Sequence, residues 1–491
     1  MRFPRKVTPW MAGTAGLSAS CLVAAVAVAA GPAVLTAAAS GQQAGQPPPP
    51  CQAVAAGAPP SQPQPTSIAT VEQAYYCIFS HYFSGATLDD SVLLTGAFEG
   101  FTLELRRRGL DQAAAMLPAL SGDRDSDWMA FSNVYQRVIS DLPDDPQLRQ
   151  ALVTATMNGM LASLHDDHAE WFAGGAQKGQ GSPALSYGLG MTTSTRGVGL
   201  AQPDAAPPLF ITSVVPGSPA SRNGLRPGDI IAAVNGIPPF ADGQLNPGVL
   251  AWIEPAATAH DTVRLTVQRP STARTWAVGI VPGSFTPQPP ISATVLAGDI
   301  AYVRLTGFLP NAASQVITAI SNLGLSARLR GIILDLRGNG GGSPTEVARL
   351  LGAFVHGKIW SYDVDLNGTR TANYTDDSVP LLNQPLVVLT DRYCASACDA
   401  FSDAVRDLHI GQLVGTRTAG LIAGLANGYL LDDNSALGLP STHSLGADGE
   451  IVDGIGVAPD DSAPLTARAL STGHDPAIAK ALSLLRSGAR P

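Results

Sequence analysis

The 491-residue sequence predicts a multi-domain α+β protein with a helical N-terminal segment, a β-rich middle and an α/β core. Three observations predict it. Apolar residues before position 180 recur at helical spacing. Short β runs broken by Gly and Pro fill residues 184–290. Strands of buried type then alternate with helical stretches over residues 296–465.

Composition sets the outer limits. Apolar residues make up 45% of the chain and charged residues 14%, so a core can be buried and wholesale disorder is excluded. The formal net charge is −9 and there is no basic block, which argues against nucleic acid and anionic membranes as partners. Cysteine is too scarce for a disulfide scaffold.

The chain opens with Arg2, Arg5 and Lys6, then an Ala- and Val-rich apolar segment from about Met11 to Ala39. Ala37-Ala38-Ala39 offers an A-x-A cleavage site. Residues 1–39 read as a signal peptide, which predicts an exported chain, secreted or associated with the cell envelope. Left uncleaved, the segment would tether the chain to a membrane. Cys51, Cys77, Cys394 and Cys398 remain after cleavage, an even number whose pairing the sequence leaves open. Residues 40–66, with Pro47-Pro48-Pro49-Pro50, read as an extended linker.

A helical domain is expected over residues 67–183. Val71, Ala74, Tyr75, Ile78 and Tyr82 form one apolar stripe. A later helix starts with Asp145 as N-cap and Pro146 at its first position, with Leu148, Ala151, Leu152, Ala155 and Ala162 on one face. It runs into Leu164-His165-Asp166-Asp167-His168. Over 184–290, Leu209 to Val215 reads as a strand closed by Pro216-Gly217-Ser218-Pro219-Ala220. Ile230 to Gly236 reads as a strand and hairpin turn. In the core, 291–465, the strands are Ile300–Leu305, Gly331–Leu336 and Pro385–Thr390, with helices near Ala313–Leu323 and Pro344–Phe354 between them. This alternation predicts parallel pairing. Residues 466–491 are expected to form a helical tail.

Two loops follow buried strands. Asp335-Leu336-Arg337-Gly338-Asn339-Gly340-Gly341-Gly342 clusters glycines that let backbone N–H groups approach a ligand. It lacks both the Lys-Ser/Thr pair and the G-x-G-x-x-G spacing of nucleotide loops. In the second loop, Asp391 to Asp399, Ser396 stands at a strand–turn–helix junction. That geometry exposes a hydroxyl with the positive helix end behind it. The N–H of Ala397 and those of Gly340 and Gly341 are the expected oxyanion donors. A serine at this place would also serve as a plain helix N-cap. No His/Cys/Asp cluster has metal-ligand spacing, so neither metal nor other cofactor is predicted.

Two resemblances sharpen this reading. The run from Val215 through Gly217-Ser218-Pro219-Ala220 to Gly224-Leu225 and Gly228-Asp229-Ile230-Ile231 resembles PDZ domains of bacterial proteases. Gly188-Leu189-Gly190-Met191 resembles their carboxylate-binding loop. Such domains take a peptide as an added strand, which implies protein or peptide substrates. The order of helical domain, PDZ-like domain, D-L-R-G-N-G-G-G and C-A-S-A-C-D resembles the C-terminal processing (tail-specific) serine proteases over roughly residues 67–465. The resemblance implies a ClpP/crotonase-like catalytic core and Ser396 as nucleophile.

The family carries its base, a lysine, in V-G-x-x-T-x-G-K-G. Here Val414-Gly415-Thr416-Arg417-Thr418-Ala419-Gly420-Leu421 ends in leucine at that place. The chain is therefore more similar to the tricorn and retinoid-binding-repeat branch, which uses a histidine and a carboxylate. That resemblance implies His168 as base, with His165 as local rival. It implies Asp453, before Gly454-Ile455-Gly456-Val457-Ala458-Pro459-Asp460, as the carboxylate, and Asp167 as a residue holding substrate or histidine. The expected function is an exported serine endopeptidase. The alternative is a catalytically inactive protease-fold protein that binds peptides or apolar ligands.

Overall fold

The computed structural model describes residues 50–54, 64–166, 168–173, 185–195, 205–253, 261–326, 328–422, 424 and 426–487. The expected signal segment and Asp167 lie outside them. No helix among the described residues is long and apolar enough to cross a membrane.

The chain enters as a two-residue strand, β1 (Gln52–Ala53), followed by four helices: α1 (Ile68–His81), α2 (Asp90–Arg107), α3 (Arg124–Ser140) and α4 (Pro146–Ala162). Each begins on a side-chain cap. Asp145, for example, accepts the Gln147 N–H at 2.8 Å ahead of Pro146, a residue preorganised for the first helical turn. The stripe of α1 is buried as its spacing requires, with Val71, Ala74, Tyr75 and Ile78 fully shielded. On α4 the expected face is only partly right. Leu148 and Leu152 are buried with Val153, Met157 and Met160, whereas Ala162 is exposed. The helix turns its small residues toward α2. A Cβ at Gly96, Gly100 or Gly159 would collide with backbone of the opposite helix, so these glycines set how closely α2 and α4 approach.

After α4 the short strand β2 (Glu170–Phe172) leads into the β-rich middle. This comprises β3 (Ser186–Gly188), β4 (Met191–Thr193), β5 (Ile211–Val214), α5 (Pro219–Arg222), β6 (Ile230–Val234), the pair β7 (Phe240–Ala241) and β8 (Gln244–Leu245), α6 (Pro247–Ile253), β9 (Val263–Arg269), β10 (Arg274–Ile280) and β11 (Gly283–Phe285). Ile211, Ile231, Val234, Leu265 and Val267 build its own core. The hairpin turn expected after β6 is present, with Asn235 and Gly236 both at positive φ.

The remaining chain forms the α/β core. Its elements are β12 (Ile291–Leu296), β13 (Ile300–Leu305), α7 (Ala312–Ser326), β14 (Gly331–Asp335), α8 (Pro344–Gly352), β15 (Ile359–Asp365), β16 (Arg370–Tyr374), β17 (Leu386–Thr390), α9 (Ala397–Asp407), β18 (Gly411–Gly415), β19 (Ala426–Leu430), β20 (Ala436–Pro440), β21 (Thr442–Gly446), β22 (Asp461–Ser462), α10 (Ala467–Ser471) and α11 (Pro476–Ser487). The main sheet runs β12-β13-β14-β17-β18-β22 and is parallel throughout, except for the antiparallel β12 edge. Every residue of β14 and β17 is buried, as central strands covered on both faces must be. Helices α7, α8 and α9 cover one face. On the other, Ala477 and Ala481 of α11 pack on Ile333, Val387 and Leu389. The C-terminal helix is thus part of the core, not a tail.

A second sheet, β1-β19-β20-β2, joins the N-terminal segment to the core. Gln52 and Ala53 pair with Leu430 and Tyr429, and a Cys51–Cys77 disulfide fixes the strand to α1. Part of the expected linker is therefore built into the fold. Tyr429, Leu431, Leu437 and Leu439 complete the core of the helical domain.

Candidate active site

The loop that carries Ser396 is a sharp junction. Strand β17 ends at Thr390, and Ser396 caps α9 with φ 56° and ψ −119°, a conformation that non-glycine residues adopt only under constraint. Several bonds supply that constraint. The Ser396 N–H donates to Asp399 Oδ2 and to the Leu421 carbonyl, each at 2.9 Å. Cys394 and Cys398, both fully buried, form a disulfide that brackets the serine. Neither cysteine is a free thiol, so both pairings left open by the sequence are now assigned.

The Gly-rich loop packs directly against this turn. A Cβ on Gly341 would lie 2.7 Å from Ser396 Cβ and from the Ala395 carbonyl, and its φ of 103° excludes most side chains. Asp391 accepts the N–H groups of Gly338 and Tyr393, both at 3.0 Å, and so ties the two loops together. Asn339 accepts the Gly341 N–H at 2.9 Å. Of the three expected oxyanion donors, Gly341 is thus already engaged. The N–H groups of Gly340 and Ala397 have no partner among the described residues.

His168 reaches the core from the end of the helical domain. His165 breaks α4 with φ 53°, and Trp171 of β2 pairs with Leu437 while its Nε1 donates to Ser435 Oγ at 2.8 Å. These contacts bring His165, Asp166 and His168 beside Gly420, Leu421, Asp453 and Gly454, which together line a cavity of about 90 Å³. The Asp453 Oδ1 accepts the Ile422 N–H at 3.2 Å. Burial raises the Asp453 carboxyl, and the nearby Asp166 charge adds to the rise. Of the two described lysines, Lys480 pairs with Asp461 and Lys358 leads into β15, its carbonyl bonded to the Thr375 N–H. Leucine occupies position 421 in the cavity wall.

Two positions that the sequence reading gave no role belong to this site. Asp399, buried, also accepts the N–H groups of Gly420 at 2.9 Å and Leu421 at 3.1 Å. Its spacing from Ser396 is that of a capping box, which was the available signal. Asp166 accepts the His168 N–H at 2.8 Å and the Tyr82 hydroxyl at 2.9 Å. Outside the site, His443 lies on β21, its ring 5.4 Å from Phe83.

In the β-rich domain, the Leu189 carbonyl accepts the Ala220 N–H, and the Gly190 carbonyl accepts the Val215 N–H and the Ser218 hydroxyl. The Gly188-Leu189-Gly190-Met191 loop is thereby clamped by Gly217-Ser218-Pro219-Ala220. A further bond spans domains: the Tyr393 hydroxyl donates to the Ser194 carbonyl at 3.2 Å.

Residues 299–463 match the family model of peptidase family S41, and residues 210–269 match that of the PDZ domain. The chain carries a peptidase family S41 domain. This peptidase is 29% identical over 349 residues to a chloroplastic C-terminal processing peptidase of Tetradesmus obliquus, covering 65% of this chain and 69% of that one. It is 27% identical over 346 residues to a carboxy-terminal-processing protease of Bartonella bacilliformis, covering 67% and 73%. The solved photosystem II D1 C-terminal processing protease shares its fold, with TM-score 0.50 and 22% identity over 82% of this chain and 93% of that one. The S41 domain and these relatives identify a serine-type peptidase, and the inactive-binder alternative is not favoured.

Proposed function

We propose that the chain is an exported endopeptidase in which Ser396 is the nucleophile, His168 its general base and Asp453 the accompanying carboxylate. The carrying observation is the shared cavity lined by His168, Leu421 and Asp453, with the Ser396 N–H bonded to the Leu421 carbonyl behind it. In this reading His168 takes the hydroxyl proton as Ser396 Oγ bonds to the scissile carbonyl carbon. The carbonyl oxygen gains negative charge and accepts the N–H groups of Gly340 and Ala397, backed by the N-terminus of α9. His168 then passes its proton to the departing amine. Water, deprotonated by the same imidazole, hydrolyses the acyl-enzyme.

The PDZ domain would hold the substrate's C-terminal segment as an added strand, its carboxylate on the loop Gly188-Leu189-Gly190-Met191. The Tyr393–Ser194 bond supports traffic between that domain and the nucleophile loop, since Tyr393 lies in the same turn as Ser396. Export is supported by the N-terminal apolar segment and by two disulfides, which persist in oxidising compartments. Substrates are unfolded proteins or peptides.

The test incubates the mature protein with an unfolded protein and reads fragments by mass spectrometry, beside Ser396→Ala and His168→Ala. Cutting by the wild type that disappears in both variants is expected. Cutting that survives His168→Ala would remove the histidine from the reading.

A further inference from the structure

Resting on His168 as the base, we infer that Asp166 is the residue that positions it: this carboxylate, not Asp453, orients the imidazole. The geometry is local and closed. Asp166 Oδ1 accepts the His168 backbone N–H at 2.8 Å and lies 3.7 Å from His168 Nδ1. Asp166 Oδ2 accepts the Tyr82 hydroxyl at 2.9 Å. Each oxygen thus accepts a hydrogen bond, which restrains the carboxylate beside the ring. The side chains are well shielded, 20% exposed for His168 and 12% for Asp166, and Tyr82 is 4% exposed.

Fixing comes from three separate elements. Tyr82 closes α1, Asp166 follows the left-handed turn at His165, and β2 anchors the chain just beyond His168. Asp453 is held differently: its Oδ1 accepts the Ile422 N–H, and it lines the same cavity with Gly454. The two carboxyls are also driven apart chemically. Burial would raise Asp166, but the bonds from His168 and Tyr82 outweigh it and hold it below the usual carboxylate range. Asp453 is raised. Asp166 is thus the carboxyl whose ionised form the ring and Tyr82 favour. With Nδ1 turned to Asp166, Nε2 is the nitrogen that would take the serine proton.

A carboxylate near an imidazole stabilises the imidazolium, so its removal lowers the ring's proton affinity. The groups facing His168 are Asp166, Asp453 and His165, with Tyr82 acting through Asp166. The experiment measures kcat and KM against pH for wild type, Asp166→Asn, Asp453→Asn, Tyr82→Phe and His168→Ala. In parallel, the His168 ring is titrated by NMR in the Ser396→Ala background, with its signal assigned by loss in His168→Ala. Asp166→Asn is expected to lower kcat about 100-fold with KM little changed. It should also move the acid limb and the ring titration about one unit lower. Tyr82→Phe should move both the opposite way, because the carboxylate loses a donor that spreads its charge. Tyr82→Phe and the NMR titration also cover the case in which Asp166→Asn folds poorly. A ring titration unmoved by Asp166→Asn and Tyr82→Phe overturns the inference, as does a downward shift produced by Asp453→Asn alone. Full activity in His168→Ala would instead overturn the catalytic reading on which it rests.

Discussion

Asp399 accepts the Ser396 N–H at 2.9 Å from one turn further along the same helix. The same buried carboxylate takes the N–H groups of Gly420 and Leu421, so one side chain holds the Ser396 turn and the cavity wall in register. Asp399→Ala leaves the N–H groups of Gly420 and Leu421 unpaired and removes one of the two acceptors of the Ser396 N–H. A stability loss of roughly 3 kcal/mol or more by urea unfolding is expected. The kcat should fall about 100-fold, because the elbow no longer holds its strained backbone. Asp399→Asn, which keeps an acceptor oxygen, should recover part of both. Wild-type kcat in Asp399→Ala would show that the elbow needs no such anchor.

Gly341 tolerates no side chain. Its positive φ and the 2.7 Å approach to Ser396 Cβ mean that Gly341→Ala must displace either the Gly-rich loop or the serine. A kcat reduction of at least about 100-fold is expected, with a smaller change in melting temperature. Gly338→Ala, whose Cβ would meet nothing within 4 Å, should hurt less despite its similar backbone strain. Equal activity in the two variants would rule out steric coupling between loop and nucleophile.

The two disulfides should differ in weight. Cys51–Cys77 closes a separation of 26 residues and Cys394–Cys398 one of 4. Chain-entropy reasoning gives the first roughly 3.5 kcal/mol and the second roughly 2 kcal/mol. Paired Cys→Ser variants, compared by urea unfolding, should preserve that order. Activity should follow the reverse order, since only the shorter bridge brackets Ser396. Loss of Cys51–Cys77 harming catalysis more would point to β1 as the greater support of the site.

Stability should fall as pH rises. On α9, burial and the charges of Asp407 and Glu450 push Asp403 up to about 8, and burial and Glu450 push Asp407 up to about 6. Arg406 bonds Asp403 and Glu450 but cannot neutralise all three carboxyls. The unfolded chain releases these protons near pH 4. Between about pH 4 and 8 the folded state therefore binds more protons than the unfolded state, and its advantage declines as pH increases. Groups held low, such as Asp166, act in the opposite sense but below that window. The melting temperature should drop from pH 5 to pH 8.5, and Asp403→Asn should flatten the profile. A melting temperature that rises over this range would contradict the assigned protonation.

What the sequence disclosed follows the range over which each signal acts. Strands β13, β14 and β17 were legible because a buried strand is a continuous apolar run, whatever its partner. Ser396 was legible because strand, turn and helix are contiguous around it. Asp166 was not: its role depends on Tyr82, 84 positions earlier, and on a three-residue strand anchored by Trp171 to Ser435, 264 positions later. Strand β1 has only two residues, too few to show a period. The engagement of Gly341 by Asn339 depends on a local turn that glycine-rich composition does not specify.

The latch formed by β1 has a practical consequence. Cys51 is joined to Cys77, so the chain between them lies inside a covalent ring. A protease that nicks this ring frees no peptide, and the nicked protein migrates intact on a non-reducing gel. Only after reduction does the upstream piece separate. An N-terminal leader or membrane anchor, if retained, would remain attached to the enzyme through sulfur after the backbone between Cys51 and Cys77 had been cut.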